Sequence, residues 1–287
     1  MTTTKISFSQ ALASGRPILT AECTPPHSGD PEAVKKLAAV LPASLDALVV
    51  ADNPDEISGS ALACAAVLAG EGRPAIVTMV TRDRNRIALE SGALGAAVVG
   101  ATGILCISGN HQSLGVCPEA AGVMDIDSTQ FEQMVKALEL TDVALGAVAH
   151  PHMLPLELNL LRLKKKIDAG AQFVLTQPVF DVAAFGAWME AVRAAGLDKR
   201  VAVIASVLPL PSAAQAAILR QRRTYGPFDE ALVARMAAAA DPGKEGVAMA
   251  ASAASQIKSV AGVRGIHVLC GGHEELAASV MQAAGLG

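Results

Sequence analysis

Gly265-Ile266-His267-Val268-Leu269-Cys270-Gly271-Gly272 is a short, nearly unbroken apolar run closed by two glycines. Similar runs precede it at 18–23, 45–52, 75–81, 103–109, 143–150, 173–180 and 202–210. Each is apolar along its length instead of alternating, the pattern of a strand covered on both faces. Helical patterns separate the runs, at 31–41, 57–70, 84–99, 127–138, 155–169, 181–195, 228–240 and 243–261, and a last one follows at 273–284. Strands alternating with helices build a parallel sheet with right-handed crossovers. The run at 265–272 is the eighth, and eight predicts a closed (β/α)8 TIM barrel, an α/β fold formed as a single domain over 1–287. The competing arrangement is an open doubly wound sheet. No GxGxxG follows any run, which weakens its dinucleotide-binding form.

Composition narrows the function classes. Hydrophobic residues make up 52% of the 287, enough for a large core. Lys and Arg number 23 against 27 Asp and Glu, a formal net charge of −4, so there is no basic footprint for nucleic acid. No uncharged apolar run reaches the roughly 18–20 residues that span a bilayer. Met1-Thr2-Thr3-Thr4-Lys5 lacks the apolar core of a signal peptide, so a cytoplasmic protein away from membranes is expected. The five cysteines are scattered and never spaced as CxxC, which argues for reduced thiols and against a zinc or iron–sulfur site. The chain stops at Gly287 soon after the last helical pattern, so no fused regulatory domain is expected.

A barrel of this kind gathers its chemistry at the strand C-terminal ends. Glu22 stands at such an end, followed by Cys23-Thr24-Pro25-Pro26. A carboxylate closing an apolar strand, stiffened by two prolines, is either an ordinary strand-end group facing solvent or a candidate general acid or base. The other ends carry Asp52-Asn53, Thr81-Arg82-Asp83-Arg84-Asn85-Arg86, Ser108-Gly109-Asn110-His111-Gln112, His150-Pro151-His152, Thr176-Gln177 with Phe180-Asp181, and Leu208-Pro209-Leu210-Pro211-Ser212. This density of His, Asn, Gln and acids predicts one active site on this face. His150 and His152 lack a third ligand, so no metal is expected and hydrogen bonding to a ligand is preferred. Gly109 is either a turn glycine or a point of close ligand approach. Gln177 lies in an apolar strand, and its amide needs either a bound heterocycle or a neighbouring backbone. Arg162 and Lys166 share a helix face by the i, i+4 rule, which suits a pyrophosphate or, more plainly, solvent. Arg82, Arg84 and Arg86 with Asp83 suit either a phosphate or an ion-pair network.

Taken together, several motifs resemble the methylenetetrahydrofolate reductase family over nearly the whole chain. They are Ala21-Glu22 with Pro25-Pro26, the 81–86 turn, Gly109-Asn110-His111-Gln112-Ser113-Leu114-Gly115, and Pro118-Glu119-Ala120 with Asp125-Ile126-Asp127-Ser128. Further along come Leu161 through Ala171, and Thr176-Gln177 through Phe180-Asp181. The likeness is to the short, catalytic-domain-only branch found beside corrinoid-linked one-carbon enzymes. It implies FAD held at the strand C-terminal ends. Hydride would pass from NADH or NADPH to the flavin and then to 5,10-methylenetetrahydrofolate, giving 5-methyltetrahydrofolate. It implies Glu22 as the acid that helps open the five-membered folate ring. It implies Asn110, Gln177, Asp52 and Leu208 as substrate contacts, and Thr78, Ser108, Gly109, His150, Arg162 and Lys166 as cofactor contacts, with Lys166 near the phosphates.

The departures fall on the flavin side. Asn110 stands where the family has Asp, Ala51 where it has a flavin-contacting Thr, Ser108 for an Arg, Thr78 for a His, and His150 for an aromatic. Two readings follow. In the preferred one the chain is a reductase using FAD through altered contacts, with an electron-transfer protein as partner. In the other it has lost flavin, and is a folate-dependent methyltransferase serving a corrinoid protein, or a folate-binding subunit. A homo-oligomer is expected in either case.

Overall fold

The computed structural model describes residues 7–54, 57–114, 117–222 and 229–286. Eight parallel strands close in sequence order: β1 (Ile18–Cys23), β2 (Ala47–Val50), β3 (Ala75–Val80), β4 (Gly103–Ile107), β5 (Ala144–Ala149), β6 (Phe173–Pro178), β7 (Ala202–Val207) and β8 (Val263–Val268). Thr20 pairs with His267 across the β1–β8 seam, so no edge is left exposed. The predicted barrel is what forms. Around it run α1 (Phe8–Ser14), α2 (Pro31–Val40), α3 (Ala61–Gly70), α4 (Arg86–Val98), α5 (Ser128–Ala137), α6 (Leu156–Ala169), α7 (Val182–Ala194), α8 (Ala213–Arg222), α9 (Glu230–Ala238), α10 (Pro242–Ile257) and α11 (Glu275–Ala283).

Two apolar layers hold the barrel. The outer one lies between strands and helices, with Leu48, Val77, Phe131, Val174 and Met281 among its members. The inner one fills the N-terminal half of the barrel with Ile18, Ala47, Ile76, Ala144, Phe173 and Ala202. Phe8 of α1 closes that end, its ring edge-on to Phe173 at 5.3 Å and 85°. Gly146 makes room for Phe173, because a Cβ there would fall 2.2 Å from Cζ of the ring.

The sequence reading differs from the structure at the element ends. The runs at 45–52, 103–109, 143–150, 173–180 and 202–210 extend past the ladders, which stop at Val50, Ile107, Ala149, Pro178 and Val207. The extra residues form the rim, where the chain turns away from its neighbours. The eighth strand begins at Val263 and ends at Val268. The reading also missed α1 and α8. The seven-residue α1 is set by a capping box between Ser7 and Gln10. The ten-residue α8 is rich in alanine and lacks a clear apolar face. Met1–Lys5, Gly115, Gly287 and the start of the expected 228–240 helix lie outside the described residues.

Candidate active site

Inward-pointing residues recur every second position along each strand. On β1 they are Ile18, Thr20 and Glu22. Thr20, Thr78, Ser206 and His267 form a buried polar layer above the apolar floor. Thr20 Oγ1 lies 2.9 Å from His267 Nδ1. Burial pushes the His267 imidazole down to about 3, so it is neutral at physiological pH. Glu22 stands one inward position above Thr20. Its Oε2 accepts the backbone N–H groups of Cys270 (2.9 Å) and Gly271 (2.7 Å), in the turn after β8. Buried Glu274 accepts the N–H of Thr24 at 2.7 Å. The end of β1 is thus tied to the start of α11, and the Glu22 carboxylate has a fixed orientation.

Glu22 opens into a cavity of about 160 Å³ lined by Ala51, Asp52, Thr78, Gln177, Ser206 and His267 among others. A second cavity of about 250 Å³ shares Asp52, Ile107, Val148 and Gln177 with it and adds Ser108, Gly109, Asn110, His150 and Lys166. A third, of about 350 Å³, shares Ser108, Ser128, Val148, His150 and Lys166 with the second and adds Arg162, Lys165 and Thr129. One trough therefore runs from the barrel axis at Glu22, over the ends of β4 and β5, to α6. Its floor is apolar at Ile107 and Val148, and its outer end is cationic.

Local chemistry explains how Gln177 faces the trough. The β6–β7 register shifts between Leu175 and Pro178. Pro178 has no N–H to give, so the Ser206 carbonyl accepts the Val179 N–H at 2.9 Å, and the Ser206 N–H goes to Thr176 Oγ1 at 3.0 Å. Gln177 sits in this irregularity with its side chain in both inner cavities. Gly109 adopts φ +79°, and a Cβ there would fall 2.5 Å from Val80 Cγ1, so the turn itself demands glycine.

The charged turn after β3 is a structural network. Arg82 pairs with Asp83 and donates to the Asn110 carbonyl at 2.9 Å. Arg84 forms a bidentate pair with buried Asp52, which also accepts the Val80 N–H at 3.0 Å. Arg86 holds Asp125, whose carboxyl is drawn down to about 2 by that guanidinium. Asn85 and Asp127 cap α4 and α5. Asp52 thus reaches the trough with its carboxylate already committed to Arg84.

At the outer end, half-buried Lys166 donates to the Val148 carbonyl at 2.7 Å. Desolvation lowers its pKa, opposed by Glu132, Cys106 and Asp127. His150 is drawn down to about 4 by burial and by Lys166 and Arg162, so it presents a neutral ring. Behind Lys166, Glu132 of α5 is fully buried, and neither carboxylate oxygen has a hydrogen-bond partner among the described residues. Burial pushes its carboxyl up to about 8, partly opposed by Lys166.

The trough brings together Glu22, Asp52, Thr78, Ser108, Gly109, Asn110, His150, Arg162, Lys166 and Gln177. It does not include Leu208, which packs with Leu210, Ala216, Leu219 and Met236. Nor does it include His152, which faces a separate cavity beside Asp181, Asp229 and Arg235. Among the described residues no three His, Cys, Asp or Glu side chains converge so as to hold a metal ion. Sequence reasoning missed Ser206, His267, Ser128 and Glu132. For Glu132 a signal existed: it lies in the stripe Ser128-Phe131-Glu132-Val135, the buried face of α5.

The fold and this trough define an α/β barrel protein with one elongated site at the strand C-terminal ends. The sequence profile of the methylenetetrahydrofolate reductase family matches residues 7–285, and the chain belongs to that family. It is 39% identical over 84 residues to methylenetetrahydrofolate reductase 2 of Saccharomyces cerevisiae, covering 27% of this chain and 13% of that protein. It is 30% identical over 104 residues to 5,10-methylenetetrahydrofolate reductase of Escherichia coli, covering 36% of this chain and 34% of that one. The matched stretches thus span about a third or less of these relatives. Among solved structures, an uncharacterized Clostridium thermocellum protein that binds two copies of 5-methyl-5,6,7,8-tetrahydrofolic acid superposes with a TM-score of 0.73. It is 17% identical, with 97% of this chain and 98% of that one covered. Oxaloacetate acetylhydrolase superposes at 0.53 with 14% identity, covering 90% and 78%, and shares the barrel. No described helix is long and apolar enough to cross a membrane.

Proposed function

We propose that this protein reduces 5,10-methylenetetrahydrofolate to 5-methyltetrahydrofolate, with folate over Glu22 and Gln177 and FAD along the rest of the trough. The observation that carries this reading is the continuity of one trough, with a fixed carboxylate at its inner end and Lys166 and Arg162 at its outer end. Flavin suits the residues present: an apolar floor at Val148 and Ile107, neutral amides at Asn110 and Gln177, a neutral His150, and cations for the phosphates. When bound, flavin supplies hydride transfer between a reduced nicotinamide and the folate.

The chain's own residues do the rest. Glu22, oriented by two backbone N–H groups, delivers a proton as the five-membered folate ring opens to the electrophilic iminium. Gln177 offers both a donor and an acceptor to a pterin edge. Asn110 can do the same without a charge, as can Ser108 with its hydroxyl. The Asp52–Arg84 pair stiffens the rim beside them and is the wall of the site, not its reagent.

The test is the purified protein. A visible flavin spectrum, before or after reconstitution with FAD, is the expected result. Glu22→Gln should cut folate reduction by about 10²–10⁴-fold while leaving flavin reduction by the nicotinamide intact. A protein that takes up no FAD yet binds 5-methyltetrahydrofolate would overturn the reductase reading in favour of a flavin-free methyl-transfer or folate-binding role.

A further inference from the structure

Glu132 has no part in the chemistry above, yet a carboxyl buried as it is carries a desolvation cost. It is 0% exposed, and both carboxylate oxygens lack a hydrogen-bond partner among the described residues. Such a group normally persists only where something else uses its charge or its proton. The helix that carries it packs on β4, β5, α4 and α6. From β4 it meets Cys106, from α6 Lys166, and at its own N-terminus Asp127. His150, just past β5, stands on the far side, against Lys166 and Arg162. The charged residues of α4, Arg86 and Glu90, are exposed. Among the described residues, Lys166 is therefore the one cation that both Glu132 and the trough address.

We propose that Glu132 is a positioning residue that makes the outer end of the trough a proton-coupled anion site: a phosphate group docking on Lys166 drives a proton onto Glu132. The inference rests on the reading that this end receives a ligand's phosphates. The physical sequence is short. With Glu132 ionised, its charge offsets that of nearby half-buried Lys166, and the two together attract an anion weakly. With Glu132 protonated, Lys166 stands as a net positive charge. An anion therefore favours the protonated form, and by linkage its binding takes up a proton from solvent. Glu132 is fully buried, so the coupling acts across low-dielectric protein. Burial holding this carboxyl up near 8 puts the effect within an accessible pH range.

The test uses FAD and, separately, sulfate, neither of which titrates at its acidic groups near neutral pH. Calorimetry at about pH 8, in buffers of different ionisation heat, should show a substantial fraction of a proton taken up per FAD bound to the wild type. Glu132→Gln should lose most of that uptake. Infrared difference spectra should show a protonated carboxyl band growing on addition of FAD or sulfate, absent in Glu132→Gln. Equal proton uptake in the variant, or a band indifferent to either anion, overturns the proposal while FAD binding itself stands. A sulfate-driven band without FAD binding supports the proposal and overturns the flavin reading. Binding of neither anion overturns both.

Discussion

At the scale of single residues, the site is held by groups whose alternatives are sterically or electrically closed. Gly109 shows this. Its φ of +79° disfavours any side chain, and a methyl group would press on Val80 Cγ1 at 2.5 Å. Gly109→Ala should therefore lower unfolding free energy by about 1–3 kcal/mol in chemical denaturation. It should also displace Asn110 and Ser108, which flank it, so FAD binding should weaken even where the fold survives. Glu22 is the opposite case. Its position is secured by backbone donors from the β8 turn, and Glu22→Gln keeps the shape while removing the proton. The sequence showed Glu22 as an odd carboxylate at a strand end. It did not show Cys270 and Gly271 holding it, because those residues lie some 248 positions away and meet it only when the barrel closes.

At the scale of elements, apolar continuity made the eight strands legible, and amphipathic spacing most of the helices. Two helices escaped for different reasons. The ten residues of α8 carry little periodic signal. The seven of α1 are too few for periodicity to register, and their position is decided by what they cover. Phe8 plugs the barrel floor against Phe173. Phe8→Ala should cost about 3–5 kcal/mol by leaving a void that a closed ring of strands cannot collapse around. Equilibrium denaturation measures this directly, and a loss below about 1 kcal/mol would mean that the floor is sealed without α1. The 81–86 turn was open in the sequence between phosphate binding and ion pairing. Pairing of all three arginines with Asp83, Asp52 and Asp125 settles it as a brace for the rim.

At the scale of the whole molecule, buried titratable groups set how stability follows pH. His267 is held down to about 3 and His150 to about 4, so their neutral forms favour the folded state above the ordinary imidazole range. That stability is lost as pH falls below about 6.5, because the unfolded chain then binds protons that the folded one resists. Glu132, pushed up to about 8, acts in the other direction. The folded state keeps its proton while the unfolded chain has already released it, so stability declines from about pH 4.5 up to 8. The two trends together predict a maximum near pH 6.5, with Glu132 contributing a fall of at most about 1.4 kcal/mol per pH unit between there and about pH 8. Glu132→Gln should flatten that alkaline limb in a series of thermal melts, and His267→Asn should flatten the acid one. An alkaline limb unchanged by Glu132→Gln would place the responsible proton elsewhere.

The sequence by itself determined the barrel, the rim on which its polar strand-end residues gather, and Glu22 as the candidate acid there. These depend on local periodicity, strand count and residues that lie next to one another in the chain. Only the tertiary structure decided that Asp52 is spent on Arg84, that His150 and His152 face different cavities, and that Leu208 stays outside the trough. It alone placed Glu132 behind Lys166. The reason is physical: ion pairing, desolvation and the joining of cavities depend on distances between residues far apart in sequence, and those exist only once the eight strands have closed.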